Sequence, residues 1–562
     1  MTSSFSASFS SSGTTSSAMS YDEKTAPTLT HDGKHVAVLT ENKDDLESRA
    51  TNDDAIGAVS DAIAAENAEK NIGFFAAVKT YHRAVLWSMA ISLCLVMEGY
   101  DTALLGAAIA TPAFRKKFGY YAGPSKGYQL NPAWQAALGQ GPTIGAFCGI
   151  FIASWAQDRW GYRRTIQAGL IAITSFIFVV FFAPRIEIFF LGGFLCGFPW
   201  GAFSSSAVAY ASEITPIKLR GYLTTYVNLC WIMGQFLSAA VVLEVTNVRQ
   251  DEWAYKIPFA IQWVWPIPIF ILVTLAPESP WFLVRKGRLD DAEKSVARLS
   301  SGTERASPAE TVAMMVRTND IEKSQHESTS YLECFKGSNL RRTEITTVAW
   351  ACTVWAGASF ANHPEYFFTQ AGMSTSQSFK VTLGLRALGF LGTLGSWVLM
   401  SHFGRRQMYL FGLSADAIIL LLVGILASTT HTQGAVWAQG ALVMLWVFFW
   451  DLSVTVTAYA IVGEMSSTRM RAKSVGLARN LYNVCGIGAG YINTYSINAT
   501  AWNWKGKAAF LWCGTCCLSL VWTYFRLPEA KGRSFRELDI LFERGVPARD
   551  FKKTVIADNE EK

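Results

Sequence analysis

Apolar blocks of roughly 18–25 residues recur along this chain, and an α-helix needs about that length to cross a hydrocarbon core ~30 Å thick. Twelve spans are expected. Six lie at about 84–106, 134–155, 165–183, 187–209, 222–246 and 257–276, and six at about 345–361, 381–400, 408–428, 435–460, 476–497 and 508–525. Composition agrees: 51% of the 562 residues are hydrophobic and only 16% charged, where a soluble chain carries about a quarter. The expected fold class is an all-α membrane protein of twelve transmembrane helices. A polar tail (1–83) precedes a six-helix bundle (84–276), a linker with short helices (277–344), a second bundle (345–526) and a second tail (527–562).

Several functional classes fall away. Nine of the ten cysteines lie in apolar blocks, the CxxC pair Cys513 and Cys516 among them, and no Cys/His spacing suggests a metal site or a disulfide framework. The net charge of +6 is scattered over loops, so nucleic acid is not an expected partner. Seven histidines and no nucleophile–base constellation argue against an enzyme, and no cofactor is implied. The N-terminal MTSSFSASFSSSGTTSSAMS has no apolar core, so it reads as a Ser/Thr-rich tail and not a cleavable signal. Such a tail is either simply solvated or a substrate for kinases and ubiquitin ligases.

Basic residues choose the side. They gather in the 2–3 loop (Arg159, Arg163, Arg164), the 4–5 loop (Lys218, Arg220), the 8–9 loop (Arg405, Arg406), the 10–11 loop (Arg469, Arg471, Lys473) and the linker. The 1–2 loop departs, with Arg115, Lys116, Lys117 and Lys126. The bias still places both termini and the linker in the cytoplasm of a multi-pass protein.

The chain also repeats itself. Glu213 and Arg220 recur as Glu464 and Arg471, and LAPESPWF recurs as LPEAKGRSF, both at an offset of 251 residues. DRWGYRR (158–164) has a weaker partner in SHFGRR (401–406). Two parallel repeats imply pseudo-symmetric six-helix bundles with a substrate site between them near the midplane. The repeated charges form a candidate cytoplasmic gate: Asp158, Arg159, Arg163, Glu213, Arg220, Glu278, Arg405, Glu464, Arg471 and Glu529. Exposed ion pairs contribute only ~0–1 kcal/mol each, but a network biases two states a few kcal/mol apart. Static anchoring is the alternative.

With these motifs, the chain resembles the sugar porter family of the major facilitator superfamily. The matching residues are Asp158-Arg159-Trp160-Gly161, Glu213 with Arg220-Gly221, Pro277-Glu278-Ser279-Pro280, Glu464 with Arg471, and Pro528-Glu529 before Lys531-Gly532-Arg533. Finer stretches resemble the fungal α-glucoside (maltose) permeases: EGYDTALLGA (98–107), LCGFPWGAF (195–203), YASEITPIKLRGYLTTYVNLCWIMGQ (210–235), YFFTQAGM (366–373) and GVPARDF (545–551). The resemblance implies proton-coupled uptake of a maltose-type sugar across the plasma membrane. A monomer is expected.

Glu98 and Asp101 lie inside the first span, where an ionisable side chain is costly and functional by default. Both are candidates for proton coupling, and by the resemblance Asp101 matches the family's first-helix carboxylate. A sugar needs amide and hydroxyl partners beside aromatic faces. Asn228 and Gln235, seven apart on one helical face, supply amides. Tyr459 occupies the position of a family tryptophan under the sugar, and Tyr482 and Asn483 are further candidates. Helix–helix hydrogen bonding is the alternative for each, and the remaining aromatics are expected to pack or face lipid. Arg386, Asp416, Asp451 and Arg479 also fall inside spans. Pairing of Asp451 with Arg386 or Arg479 would make a buried charge tolerable, and Arg479 matches an arginine of the α-glucoside permeases.

The seventh span departs from the family. It reads ACTVWAGASFANHPEYFFTQAG, with no glutamine before Tyr366 and with Asn362-His363-Pro364-Glu365 where apolar helix should continue. Gly193 replaces a polar residue, the second span lacks a carboxylate, and Ser401 replaces an aspartate. These losses leave open a different sugar or polyol, a sensor that no longer transports, or a missing coding segment near 356–365. The short C-terminal tail favours a transporter. The sequon Asn498-Ala499-Thr500 lies too near the membrane to count on.

Overall fold

The computed structural model describes residues 74–554 apart from 122, 124–126, 301–306, 326–330, 362–363, 372, 430–432, 467–469, 499–500 and 534. The tail over 1–73, Lys126, Arg469, Asn362-His363 and the last two residues of the sequon therefore lie outside the described residues.

In lipid a backbone must satisfy its own hydrogen bonds, and a helix does so within one segment. The first half comprises α1 (His82–Ala110), α2 (Pro132–Trp160), α3 (Tyr162–Phe181), α4 (Ile186–Ile214), α5 (Ile217–Val248) and α6 (Trp253–Leu275). The second comprises α7 (Gly337–Trp355, then Pro364–Ala371), α8 (Thr375–His402), α9 (Arg405–Thr429), α10 (Gly434–Met465), α11 (Arg471–Ile497) and α12 (Lys505–Arg526). Ten of these are long and apolar enough to cross a membrane by length and composition. The exceptions are α7, which is broken, and α11, which carries Arg471, Lys473 and Arg479.

The expected span 345–361 needs correction. Its helix begins at Gly337, stops at Trp355, passes Gly357 at φ +107° and a 3-10 turn at Ala358–Ala361, and restarts at Pro364. Positive φ ends a helix cheaply only at glycine, and proline suits a first helical turn because the N–H it lacks would be unpaired there. The stretch that reads as a truncated helix is a break between two pieces.

Within the halves, α2 and α3 pack on α4, α1 on α5, α7 on α11 and α9 on α12; the halves meet along α2–α11, α5–α8 and α5–α10. The α1–α5 contact is backbone to backbone. A Cβ on Gly99 would stand 1.9 Å from the Trp231 carbonyl oxygen, and one on Gly234 would stand 2.0 Å from that of Val96. Large apolar side chains such as Ile171, Ile267, Val398 and Ile418 remain exposed on the outer faces, where lipid would cover them.

Between the halves the linker forms helices Pro280–Arg285, Leu289–Leu299 and Pro308–Gln325 and a 3-10 turn Tyr331–Phe335. The segment after α12 folds back through helix Phe535–Glu543 and does not trail free. Asp539 pairs with Arg342, Arg341 Nη1 donates to the Val546 carbonyl at 2.7 Å, and Phe551 is fully buried.

Candidate substrate cavity

A cavity lies between the halves. Its α5 wall is Asn228 and Trp231; opposite stand Trp350 of α7, Trp450 and Tyr459 of α10, and Arg479 and Tyr482 of α11. It offers the centre of a water-sized sphere about 10 Å³, room for about one water. A disaccharide therefore enters only when the halves part. Tyr459 meets Trp350 edge-on, with ring centroids 5.0 Å apart, and the Arg479 guanidinium lies 4.6 Å over Tyr482 and 5.5 Å over Trp350.

Charge crosses the seam here. Arg479 Nη2 lies 3.0 Å from Glu98 Oε1, and the two side chains are 9% and 4% exposed. One turn along α1, Asp101 accepts from Trp200 Nε1 at 3.1 Å. Glu98 Oε2 and Asp101 Oδ1 are buried without a hydrogen-bond partner among the described residues. Asn228 is wholly buried, and neither end of its carboxamide has a partner there.

The expected pairing of Asp451 with Arg479 is not formed, because Glu98 takes that guanidinium. Arg386 of α8 lies near enough for its charge and that of Asp451 to act on each other, without a direct salt bridge between them among the described residues. Asp451 sits in a π turn, Trp450–Val454, whose extra residue shifts the helical register. Trp450 thereby faces the cavity while Asp451 packs on α8, its Oδ2 2.5 Å from where a Cβ of Gly389 would stand. Asp416 is buried on α9 with both oxygens unpartnered among the described residues.

Of the expected sugar ligands, Asn228, Tyr459 and Tyr482 line the cavity; Gln235 and Asn483 are buried outside its wall. The tryptophans were expected to pack or face lipid, yet three of them line it, with Thr353 and Thr455. Spacing held part of this signal: Trp231 follows Asn228 by three residues and Thr455 precedes Tyr459 by four, so each shares a helical face with a recognised candidate.

At the rim carrying the linker, the sequence repeat becomes a repeated geometry. Glu278 accepts from the Tyr162 and Arg163 amides at 3.0 and 3.2 Å, and Glu529 from those of Arg405 and Arg406 at 2.8 and 3.1 Å. Each carboxylate caps the N-terminus of a helix, α3 or α9, where unpaired N–H groups favour an anion. Burial pushes the Glu278 carboxyl above the ordinary carboxylate range, although the N–H groups of Ser279, Arg163 and Tyr162 pull it down. Gly161 precedes α3 at φ +88°, and its Cβ would stand 2.5 Å from Glu278 Oε2. Gly161→Ala should therefore destabilise the protein by about 1–3 kcal/mol, read as a lower thermal midpoint in detergent.

Glu213 accepts from the Tyr162 and Ser279 hydroxyls and pairs with Arg285 of the linker at 3.1 Å; Glu464 pairs with Arg405 at 2.8 Å. Arg220 Nε donates to the Ser212 carbonyl at 3.1 Å, Arg471 is buried near Tyr162, and Arg159 is exposed. Among the contacts that join the halves at this rim, Lys473 Nζ meets Asp158 Oδ2 at 2.6 Å, and Gly221 of α5 lies on the Arg405–Glu464 pair. At the far rim, α2 and α11 meet again where Asn498 Nδ2 donates to Gln135 Oε1 at 2.9 Å. That buried bond uses the asparagine of the sequon.

Residues 87–542 match the family described as Sugar (and other) transporter. The chain belongs to that family. Among its relatives, Maltose permease MAL61 of Saccharomyces cerevisiae is 39% identical over 507 residues, 89% of this chain and 82% of the relative. The General alpha-glucoside permease of S. cerevisiae strain CEN.PK113-7D is 36% identical over 507 residues, with the same coverage. The fold is that of the major facilitator superfamily. The proton:xylose symporter XylE bound to 6-bromo-6-deoxy-D-glucose superposes with a TM-score of 0.70 at 18% identity, covering 83% of this chain and 100% of that one. This sugar transporter family member is thus a multi-pass membrane protein and not an enzyme, and the expected pair of six-helix bundles is the one observed.

Proposed function

We propose that this chain is a proton-coupled symporter of maltose or a related α-glucoside. It works by alternating access in the plasma membrane, with its termini and linker in the cytoplasm. The observation that carries this reading is the Glu98–Arg479 ion pair, which joins the two halves in the cavity wall with Asp101 one turn away. A proton on Glu98 removes the charge that holds Arg479. The guanidinium, already over the Tyr482 ring, is then free to donate to sugar hydroxyls. Proton and sugar would load together, and one charge entering down 100 mV supplies about 2.3 kcal/mol. The Asp158–Lys473 contact closes the cytoplasmic rim and the Gln135–Asn498 contact the outer rim; each must open in turn.

The test is uptake of labelled maltose, sucrose, glucose and cellobiose by transport-deficient yeast expressing this chain, with external pH recorded. Uptake of an α-glucoside together with external alkalinisation is the expected result. Uptake without proton entry would remove the coupling, and a transcriptional response without uptake would make the protein a sensor.

A further inference from the structure

α5 offers the cavity two side chains, and the polar pattern of the sequence singles out only Asn228. The other, Trp231, carries an indole Nε1 that is buried and has no hydrogen-bond partner among the described residues. The buried indole nitrogens of Trp265, Trp446 and Trp512 also lack a partner among the described residues, but they lie outside the cavity wall, and other tryptophans use theirs. Trp200 donates to Asp101 at 3.1 Å, Trp397 to Thr225 at 2.9 Å and Trp450 to the Thr353 carbonyl at 3.3 Å. Trp231 cannot shift its backbone to find a partner, because its carbonyl rests against Gly99, 1.9 Å from where a Cβ would stand. An indole nitrogen donates and cannot accept. Beside it lies the Asn228 carboxamide, with its donor and its acceptor both unpartnered among the described residues.

That wall is complementary to a ligand with an acceptor oxygen for the indole, a hydroxyl pair for the carboxamide and a flat C–H face for the ring. A pyranose has all three. We propose that Trp231 is a specificity-determining residue, whose Nε1–H donates to one oxygen of the glucoside while its ring packs on the sugar. The proposal rests on the α-glucoside reading above. It adds a contact in the first half, on the helix that is in backbone contact with the Glu98-bearing α1.

Trp231→Phe keeps a ring and removes the donor. At matched surface expression, it should raise KM for maltose about tenfold with Vmax nearly unchanged. The decisive measurement crosses this variant with maltose analogues in which single hydroxyl groups are replaced by hydrogen or the glycosidic or ring oxygen by sulfur. One analogue should lose affinity in the wild type yet show no further loss in the variant, because the contact is already gone. Trp231→His, which restores an N–H donor, should recover part of the affinity, and it serves as the test if the phenylalanine variant fails to reach the surface. An unchanged KM, or penalties that multiply independently for every oxygen, would overturn the assignment. If the wild type takes up no α-glucoside, the transport reading falls and the Trp231 contact with it. If the wild type transports and the variant matches it, only Trp231 is misassigned.

Discussion

Glu98→Gln is expected to abolish uphill accumulation of the sugar and to lower the thermal midpoint of the protein in detergent. The reason is an orphaned charge. Arg479 is 9% exposed, its Nη2 lies 3.0 Å from Glu98, and the glutamine variant would leave it buried without a counter-charge. Breaking such a pair from one side costs about 3–5 kcal/mol, whereas removing both members leaves no orphan. The double variant Glu98→Gln/Arg479→Gln should therefore melt above either single variant while still failing to accumulate sugar. Asp101 offers the contrast. Its hydrogen bond comes from a neutral indole, so Asp101→Asn should fold nearly as well as the wild type and lose only the coupling of sugar to protons. Initial uptake, external pH and thermal midpoint in detergent separate these outcomes. A Glu98→Gln protein that melts and accumulates like the wild type would remove the ion pair from the mechanism.

Much of the scaffold can be read from the chain because the chain states it twice. The repeat that places Glu278 and Glu529 at one offset also places both carboxylates on the first amides of α3 and α9. Periodicity likewise marks Asn228 as cavity-facing. It does not tell which face of α11 meets which face of α1 once the halves dock. Glu98 and Arg479 are 381 residues apart, and nothing local selects that pairing over Asp451 with Arg479. The choice between the two expected partners of Asp451 is made locally: one added residue in the π turn rotates it onto α8, the helix of Arg386, and gives Trp450 the cavity. The tryptophans are obscured differently, since in a membrane protein an aromatic ring suits lipid, core and ligand alike. The break in α7 is half-written, in Gly357 and Pro364, but a glycine and a proline mark a stop and a start without saying that one pass contains both.

Gly99→Ala should be among the most damaging single-methyl changes in the first half. The added carbon would lie 1.9 Å from the Trp231 carbonyl oxygen and 2.8 Å from its carbon, both backbone atoms of a packed helix. A side chain could swing aside; these atoms can move only if α5 moves. Gly234 repeats the contact one turn away against the Val96 carbonyl, so α1 and α5 would have to separate along that whole stretch. Overpacking of this kind costs about 1–3 kcal/mol or more, and here the displaced helix carries Glu98 and Asp101 on either side of the substitution. Loss of thermal stability and loss of proton-linked uptake should therefore appear together. Gly486→Ala is the control. It lies inside α11 with nothing within 4 Å of its added carbon, so it should leave stability unchanged or raise it by about 0.5–1 kcal/mol through better helix propensity. If both variants melt alike, the backbone contact between α1 and α5 is not what fixes the carboxylates. If only Gly99→Ala falls, the backbone contact between α1 and α5 is what holds the proposed proton-coupling carboxylates beside Asn228 and Trp231.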